Sequence, residues 1–353
     1  MRFTVQRVMQ LGLALAVAST WLLFETLRFK LLVTALALLL FGRRPRLGAV
    51  GLFIAALAML PPRRPTPSAR AQTFVLDERG ESVAWPLSVL ISSLVPETEL
   101  ARLSILLAPI FPFPTRGALL REVRSLKPFD NVVTREYRRV QSLGLERAAP
   151  SILPFQAAQQ LGGYRDLHAF TVILPAHIRA DHPLPVVIFL HGYLGHFQFY
   201  ESFWQSQNEA VVLIPTTQNL LGLWSAEDLD YALGPELDHV ATLAPIDRNR
   251  LHLVGLSNGG SGVNRAMKTR SAQFRSMTWL STWVEKYRPA GPLPKLAIIS
   301  GQDDSISTNN RAAATWWRGQ GAIVNEQRFA GEGHLVMLTQ RARVLDALLA
   351  TLH

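Results

Sequence analysis

The 353-residue chain contains no cysteine. This absence excludes disulfide bonds, thiolate nucleophiles and cysteine-ligated metals, although it does not identify a compartment. Charged residues are also scarce, at 18% of the chain, whereas about 25% is usual for a soluble protein. The sequence has no zinc-finger, RRM or basic-helix pattern, so the formal net charge of +10 does not indicate nucleic-acid binding. We expect no nucleic-acid partner.

Apolar residues are concentrated in the first sixty positions. Three uncharged runs, Val8–Phe24, Leu31–Phe41 and Leu47–Leu60, are separated by arginine-containing segments. A spanning helix needs about 20 apolar residues, with roughly 17 as the lower limit. Only the first run has that length, and the other two would borrow flanking residues whose charges reach the headgroups. Residues 1–60 are therefore predicted to be a membrane segment of three short spans in contact with lipid. A cleaved signal peptide is the alternative for the first run.

Three spans would place the two chain ends on opposite sides of the membrane. The arginine and lysine residues that flank the predicted spans divide equally between the two sides, so their number does not set the orientation. The densest cluster, Arg43-Arg44-Pro45-Arg46, lies in the shortest loop, which favours a cytoplasmic position for that loop. The chain is thus predicted to be a multi-pass protein, of a bacterial inner membrane, with an extracytoplasmic C-terminal domain.

The rest of the chain divides into three regions. Residues 61–70 are rich in proline and arginine and are predicted to be a linker. Residues 71–165 form an N-terminal extension or a lid, in which Thr73–Leu76 alone is predicted as a strand. In residues 166–353 short apolar runs alternate with helix-compatible segments, which predicts an α/β domain: a mainly parallel sheet with helices on both faces. The predicted strands are Phe170–Leu174, Pro185–Leu190, Ala210–Ile214, Leu251–Leu256, Met277–Leu280, Leu296–Ser300 and Ile323–Phe329.

One motif carries chemistry. The segment Gly255-Leu256-Ser257-Asn258-Gly259 has the pattern G-x-S-x-G, and it follows an apolar strand and precedes a possible helix, Gly262–Lys268. In a nucleophile elbow a buried strand ends in a tight turn that exposes a serine hydroxyl, and the residues two before and two after must be small. Ser257 is therefore the predicted nucleophile.

A serine hydroxyl needs a base to remove its proton and an acid to orient that base. In this arrangement the chain order is serine, acid, histidine. Only His334 and the terminal His353 follow Ser257, and a terminal residue makes a poor base. His334 is the predicted base. The acid is expected after Leu296–Ser300, where Asp304 is favoured over its neighbour Asp303, and Glu285 is the outside candidate.

Two main-chain N–H groups are needed for an oxyanion hole. One is assigned to Asn258, the residue after the nucleophile, and the other to Tyr193, in the loop after Pro185–Leu190. His191 in that loop is expected to be a structural histidine that bonds to neighbouring loops. The aromatic residues Phe197, Phe199, Trp204 and Trp224 either line a substrate pocket or pack in the core, and core packing is the commoner role of such residues.

These motifs resemble the α/β-hydrolase superfamily of serine esterases. The likeness is greatest to the branch of polyhydroxybutyrate depolymerase-like, feruloyl-esterase-like and dienelactone-hydrolase-like enzymes. It is carried by His191-Gly192-Tyr193, Ile246–Arg250, the elbow Gly255–Gly260, Gly301–Asp304 and Gly333-His334. Residues 168–353 carry the match, and the membrane segment is a departure from these relatives. The resemblance implies an α/β-hydrolase fold and the hydrolysis of a small-molecule ester.

The sequence thus predicts a membrane-anchored serine hydrolase that cleaves a carboxylic ester through an acyl-enzyme. It predicts no metal and no other cofactor, and it does not indicate an oligomeric state. Two alternatives stay open at this point. One is a serine peptidase, since the same three groups cleave amides. The other is an inactive binding protein that keeps the fold.

Overall fold

The structure, a computed structural model, describes residues 34–35, 70–83, 135–136, 139, 166–193, 197–219, 221–287 and 291–353. The described residues contain one eight-stranded sheet of strand order β1-β2-β4-β3-β5-β6-β7-β8. The pairs β1–β2 and β2–β4 are antiparallel, and all pairs from β4 to β8 across the sheet are parallel. The strands are β1 Ala71–Leu76, β2 His168–Ile173, β3 Leu184–Leu190, β4 Val211–Pro215, β5 Ile246–Leu256, β6 Ser276–Leu280, β7 Lys295–Gly301 and β8 Val324–Phe329.

Helices connect the parallel strands, as parallel pairing requires a crossover. The α-helices are α1 Phe197–Trp204, α2 Ala226–Tyr231, α3 Leu237–Leu243, α4 Gly260–Arg270, α5 Asn310–Gly319, α6 Val336–Thr339 and α7 Arg341–Leu349. A π-helical turn, Ala232–Glu236, joins α2 to α3. It contains Pro235, whose missing N–H cannot support the regular helical ladder. The helical segment from Ala226 to Leu243 is therefore interrupted at its centre.

The core consists of two apolar layers, one on each face of the sheet. Successive side chains of a strand point to opposite faces. In β3, accordingly, Val187 and Phe189 pack in the layer under α1 and α7. Val186 and Ile188 pack in the layer under α2 to α5. Both faces of the central strands are thus buried, which explains why their sequences are continuously apolar and confirms the predicted α/β-hydrolase fold of a mainly parallel sheet with helices on both faces.

One strand of the predicted extension, residues 71–165, belongs to the sheet of the α/β domain. Ala71–Leu76, which the sequence assigned to the extension of residues 71–165, pairs along its whole length with β2 and forms the edge of the sheet. The sequence of one short strand does not indicate which other strand it pairs with, and β2 lies almost a hundred positions later in the chain. The sheet of the α/β domain therefore includes β1, and most of residues 84–165 lie outside the described residues.

The predicted membrane segment cannot be compared with the structure. All of residues 1–60 except Thr34 and Ala35 lie outside the described residues, as do the linker residues 61–69. Within the described part of the chain, no helix is both long and apolar enough to cross a membrane. The predicted three spans stay a prediction.

Helix α1 carries a buried carboxyl group that predicts a pH dependence of stability. Glu201 is buried and accepts a hydrogen bond of 3.1 Å from the Thr171 hydroxyl through Oε1. Among the described residues its Oε2 atom has no hydrogen-bond partner. Burial raises the pKa of Glu201 from 4.5 to about 8, although the Thr171 hydrogen bond opposes the rise. The folded protein therefore holds a proton that the unfolded chain releases.

Because the pKa is raised in the folded state, stability from this group is complete below about pH 4.5 and is lost as pH rises towards 8. We expect Glu201→Gln, which keeps the acceptor for Thr171, to flatten the fall of unfolding free energy across this window. The change in slope should be at most about 1.4 kcal/mol per pH unit. Denaturant unfolding at a series of pH values measures it, with the exposed Glu227→Gln as control. Equal slopes for wild type and Glu201→Gln would contradict a buried, protonated Glu201.

Candidate active site

The predicted site residues all follow strands at one edge of the sheet. Loops after β3, β5, β7 and β8 carry Tyr193, Ser257, Asp304 and His334 respectively. Since these four strands are parallel, their carboxyl ends meet at the same edge, where α/β proteins usually bind ligands. Residues up to 141 positions apart in sequence are thereby brought together.

Ser257 occupies a tight turn between β5 and α4. Its φ angle is +52°, a left-handed conformation that costs a non-glycine residue about 1–3 kcal/mol and is found mainly at functional sites. The turn Ser257–Gly259 is a single 3-10 turn that leads directly into α4. This is the strand–turn–helix geometry of a nucleophile elbow.

The glycines around Ser257 are required by close contacts. A Cβ atom at Gly255 would lie 2.5 Å from the Gly259 carbonyl oxygen and 2.5 Å from Val263 Cγ2. A Cβ atom at Gly259 would collide with the carbonyl of Leu190, at the end of β3. The two small residues of the motif thus allow the elbow to pack against its own helix and against the neighbouring strand.

The structure joins the three predicted triad side chains in one line of hydrogen bonds. His334 Nε2 lies 2.9 Å from Ser257 Oγ, and His334 Nδ1 lies 3.1 Å from Asp304 Oδ2. The Asp304 side chain is 1% exposed and the His334 side chain 16% exposed. With Nδ1–H donated to the carboxylate, Nε2 faces the serine hydroxyl as an acceptor, which is the tautomer that can remove its proton.

The carboxylate of Asp304 is held by three hydrogen-bond donors. Besides His334, the Ser307 hydroxyl donates at 2.8 Å and the Ile306 N–H at 3.0 Å. Burial alone would raise the pKa of Asp304, but these hydrogen bonds and the attraction to His334 outweigh it and hold the pKa below its ordinary value. The group therefore stays ionised beside the histidine at neutral pH. Sequence reasoning missed Ser307, although an aspartate followed three residues later by serine at a turn is a capping signal.

The two other candidate acids lie elsewhere. Asp303 is exposed, and its N–H donates to the Glu332 carbonyl at 2.9 Å. It does not cap α5, because Asn309 is the N-cap residue of that helix. Glu285 forms an exposed ion pair with Lys268, at 2.5 Å. Only Asp304 among the three contacts His334.

The loop after β3 passes directly over the nucleophile. A Cβ atom at Gly192 would lie 2.8 Å from Ser257 Cβ and 3.5 Å from Ser257 Oγ. Tyr193, whose N–H was predicted as an oxyanion donor, is the next residue. Asn258, the other predicted donor, follows Ser257 in the elbow, and its side-chain Nδ2 donates to the Leu221 carbonyl at 2.6 Å. One predicted donor thus belongs to the residue next to Gly192, which packs against Ser257, and the other belongs to the residue next to Ser257 itself.

His191 has the structural role expected of it. It is fully buried, its Nδ1 lies 2.7 Å from the Gly192 carbonyl oxygen, and its Nε2 accepts a hydrogen bond of 3.3 Å from the Thr217 N–H. Burial lowers the pKa of His191 to about 4, so the ring is neutral at neutral pH. It ties the loop after β3 to the loop after β4.

Glu332 ties the histidine loop to its surroundings. Its carboxylate accepts hydrogen bonds of 2.5 Å from the Thr339 hydroxyl and from the Gln340 side-chain amide. Its carbonyl accepts from Asp303, and a side chain at Gly301 would collide with that same carbonyl. The loops that carry Asp304 and His334 are therefore bonded to each other directly.

The four aromatic residues considered as pocket walls are core residues. Phe197, Phe199 and Trp204 pack in the layer under α1 and α7, and Trp224 packs in the opposite layer. Trp224 also donates its indole N–H to the His191 carbonyl at 3.1 Å. Their role is to support the loops of the site.

Comparison with known proteins gives matches only to solved structures. No protein-family model matches the chain, and no curated protein matches it in sequence. Similar structures include a thermostable esterase, with 18% identity, a TM-score of 0.39 and coverage of 52% of this chain and 59% of that one. S-formylglutathione hydrolase from Staphylococcus aureus has 16% identity, a TM-score of 0.41 and coverage of 53% and 91%. A bacterial heroin esterase has 15% identity, a TM-score of 0.43 and coverage of 53% and 80%. The chain thus spans less than two thirds of the first of these proteins.

Proposed function

We propose that the chain is a serine hydrolase that cleaves a carboxylic ester through an acyl-enzyme. The observation that carries this proposal is the hydrogen-bonded line Ser257–His334–Asp304 at the carboxyl edge of the sheet. A serine without a functional role rarely adopts a φ angle of +52°. Ser257 combines this conformation with an imidazole nitrogen, His334 Nε2, that lies 2.9 Å from its hydroxyl oxygen. The serine esterase resemblance of the sequence motifs supports the same conclusion.

In the proposed reaction, Ser257 Oγ attacks the ester carbonyl carbon while His334 Nε2 takes the hydroxyl proton. Asp304 stabilises the imidazolium that forms. The N–H groups of Tyr193 and Asn258 receive the negative carbonyl oxygen. His334 then gives its proton to the leaving alcohol, and the acyl group stays on Ser257. A water molecule, deprotonated by His334, attacks the acyl-enzyme and releases the acid. The reaction as proposed uses no metal or other cofactor.

Two other functions compete with this one. A serine peptidase would use the same three groups, and it is distinguished by turnover of an amide substrate with the same acyl group as a cleaved ester. A binding protein that keeps the fold without activity would leave its serine unactivated. The formed Ser257–His334 hydrogen bond argues against that second alternative.

The function is tested with a fluorophosphonate probe and with p-nitrophenyl esters. A fluorophosphonate reacts with an activated serine, so wild-type protein should be labelled at Ser257 and should release p-nitrophenol from acetate or butyrate. Failure of both reactions in folded protein would contradict the hydrolase assignment. Faster cleavage of the matched amide than of the ester would favour the peptidase.

We further propose that residues 1–60 anchor the enzyme in a membrane, with the catalytic domain on the extracytoplasmic side. The three apolar runs of the sequence support this proposal. The full-length protein is expected to sediment with membranes and to resist extraction by high salt and by carbonate, because salt screens only electrostatic attachment. Alkaline phosphatase fused after His353 should be active. An inactive fusion would indicate an even number of spans, most simply because Leu31–Phe41 is too short to cross. Recovery of soluble protein whose N-terminus is removed near residue 20 would establish a cleaved signal peptide instead.

A further inference from the structure

The loop after β4 exposes two leucines close to the nucleophile. Leu221 is 42% exposed and Leu223 is 40% exposed. Among the described residues, the only other large apolar side chains this exposed are Ile178 and Ile323, which lie on separate loops. Single exposed apolar residues are common on proteins, but two on one short loop beside a reactive serine require an explanation.

This loop is held in place at both ends by the buried carboxylate of Asp228. The Gln218 N–H donates to Asp228 Oδ1 at 3.1 Å, and the Ser225 N–H donates to Asp228 Oδ2 at 2.8 Å. The Thr217 hydroxyl donates to Oδ2 at 2.9 Å. One carboxylate thus fixes the residues before and after the leucines, so the leucines are presented on a fixed support.

The centre of the loop contacts the predicted oxyanion donors. The Leu221 carbonyl accepts a hydrogen bond of 2.6 Å from the side chain of Asn258. Gly222, with a φ angle of +69°, packs so closely that a Cβ atom there would collide with the Gly192 carbonyl and lie 2.9 Å from the Tyr193 N. Gly192 in turn packs against Ser257. The two leucines therefore flank Gly222, which packs directly on the loop that covers the nucleophile.

We propose that Leu221 and Leu223 form the surface that binds the acyl chain of the ester, so that the preferred substrates carry an acyl chain of several methylenes. This inference rests on the proposed function. The loop that both leucines occupy packs on Gly192 and bonds to Asn258, so an ester whose carbonyl oxygen lies at the Tyr193 and Asn258 N–H groups would lie beside that loop. When the methylenes of the substrate cover the exposed leucines, the apolar surfaces of the chain and of the leucines are both removed from water, which is favourable.

The test compares p-nitrophenyl hexanoate with p-nitrophenyl butyrate, using the full chain in detergent. Each methylene that reaches apolar surface raises kcat/KM by up to about fourfold, so two methylenes should give a ratio of roughly tenfold in the wild type. In Leu221→Ser/Leu223→Ser we expect the ratio to fall towards one. Ile178→Ser and Ile323→Ser are matched controls, each removing an exposed apolar residue elsewhere, and they should keep the wild-type ratio.

The outcomes separate this inference from the proposed function. Wild-type turnover of butyrate with a ratio near one, or a wild-type ratio retained in the double variant, would overturn the role of the leucines and leave the hydrolase assignment intact. Absence of turnover and of fluorophosphonate labelling would contradict the function itself. If the double variant does not fold, the same ratio of hexanoate to butyrate turnover is measured in the single variants Leu221→Ala and Leu223→Ala. A wild-type ratio combined with weaker vesicle binding would assign the leucines to a membrane surface instead.

Discussion

Ser257→Ala and His334→Ala are each expected to lower the turnover of p-nitrophenyl butyrate by roughly 10³-fold or more, because nucleophile and base act as a unit. Removing the Ser257 hydroxyl leaves no atom to form the acyl-enzyme. Removing the imidazole leaves the hydroxyl 2.9 Å from an empty position where His334 Nε2 had accepted its proton. The double variant should lose little more than either single variant. Initial rates and fluorophosphonate labelling measure both effects.

Matched substitutions away from the site separate chemistry from folding. Ser206→Ala removes a serine hydroxyl that donates to the Phe203 carbonyl, and His177→Ala removes an exposed histidine. Both should keep near wild-type turnover. Circular dichroism and thermal unfolding should show that Ser257→Ala is folded, because alanine adopts the left-handed backbone at position 257 at a cost similar to that of serine. Near-normal turnover in folded Ser257→Ala would overturn the nucleophile assignment.

Asp304→Asn is expected to lower kcat by roughly 10⁴-fold. An asparagine amide can donate a hydrogen bond to His334 Nδ1, which stabilises the tautomer with its proton on Nε2, facing Ser257. That tautomer cannot remove the serine proton. The substitution also removes the negative charge that stabilises the imidazolium. The Asp304 carboxylate accepts hydrogen bonds from the Ile306 N–H and the Ser307 hydroxyl. The amide oxygen of asparagine can still accept one of these bonds, so the protein should stay folded.

Asp303→Asn is the matched control, since it makes the same chemical change one residue away on an exposed side chain. Its turnover should be close to that of the wild type. A large loss in Asp303→Asn together with an active Asp304→Asn would transfer the role of the acid to Asp303. Activity in both variants would direct attention to Glu285, although its carboxylate pairs with Lys268 in this structure.

The nucleophile elbow and the order of the three side chains were predictable because their signals are local. Gly255 and Gly259 are needed within five residues of chain, and the strand before them and the helix after them are visible as apolar and helix-compatible runs. The scarcity of histidine after Ser257 leaves His334 as the base almost by elimination. The strands β3, β4, β6, β7 and β8 were predicted to within one residue at each end, whereas β5 begins at Ile246, five residues before the predicted Leu251. In β3 and β4, burial on both faces makes the strand continuously apolar.

Contacts between distant segments were not predictable in the same way. Asp303 and Asp304 are adjacent, and the choice between them depends on which side chain faces a histidine 30 residues later. The edge strand Ala71–Leu76 has a pattern that suits many sheets, and only its pairing with β2 assigns it to this one. The hydrogen bonds of Glu332 and Asp228 likewise join segments whose sequences carry no mutual signal.

By itself, then, the sequence determined which residues are the proposed nucleophile and base and which kind of sheet supports them, because these predictions depend on short-range sterics and on burial patterns along single strands. The tertiary structure decided which aspartate orients His334, which segment closes the edge of the sheet, and where Leu221 and Leu223 stand relative to Ser257. Those outcomes depend on contacts such as Gly222 against Gly192 and Asn258 with the Leu221 carbonyl. The partners in such contacts meet only after the parallel strands have brought their carboxyl ends to one edge.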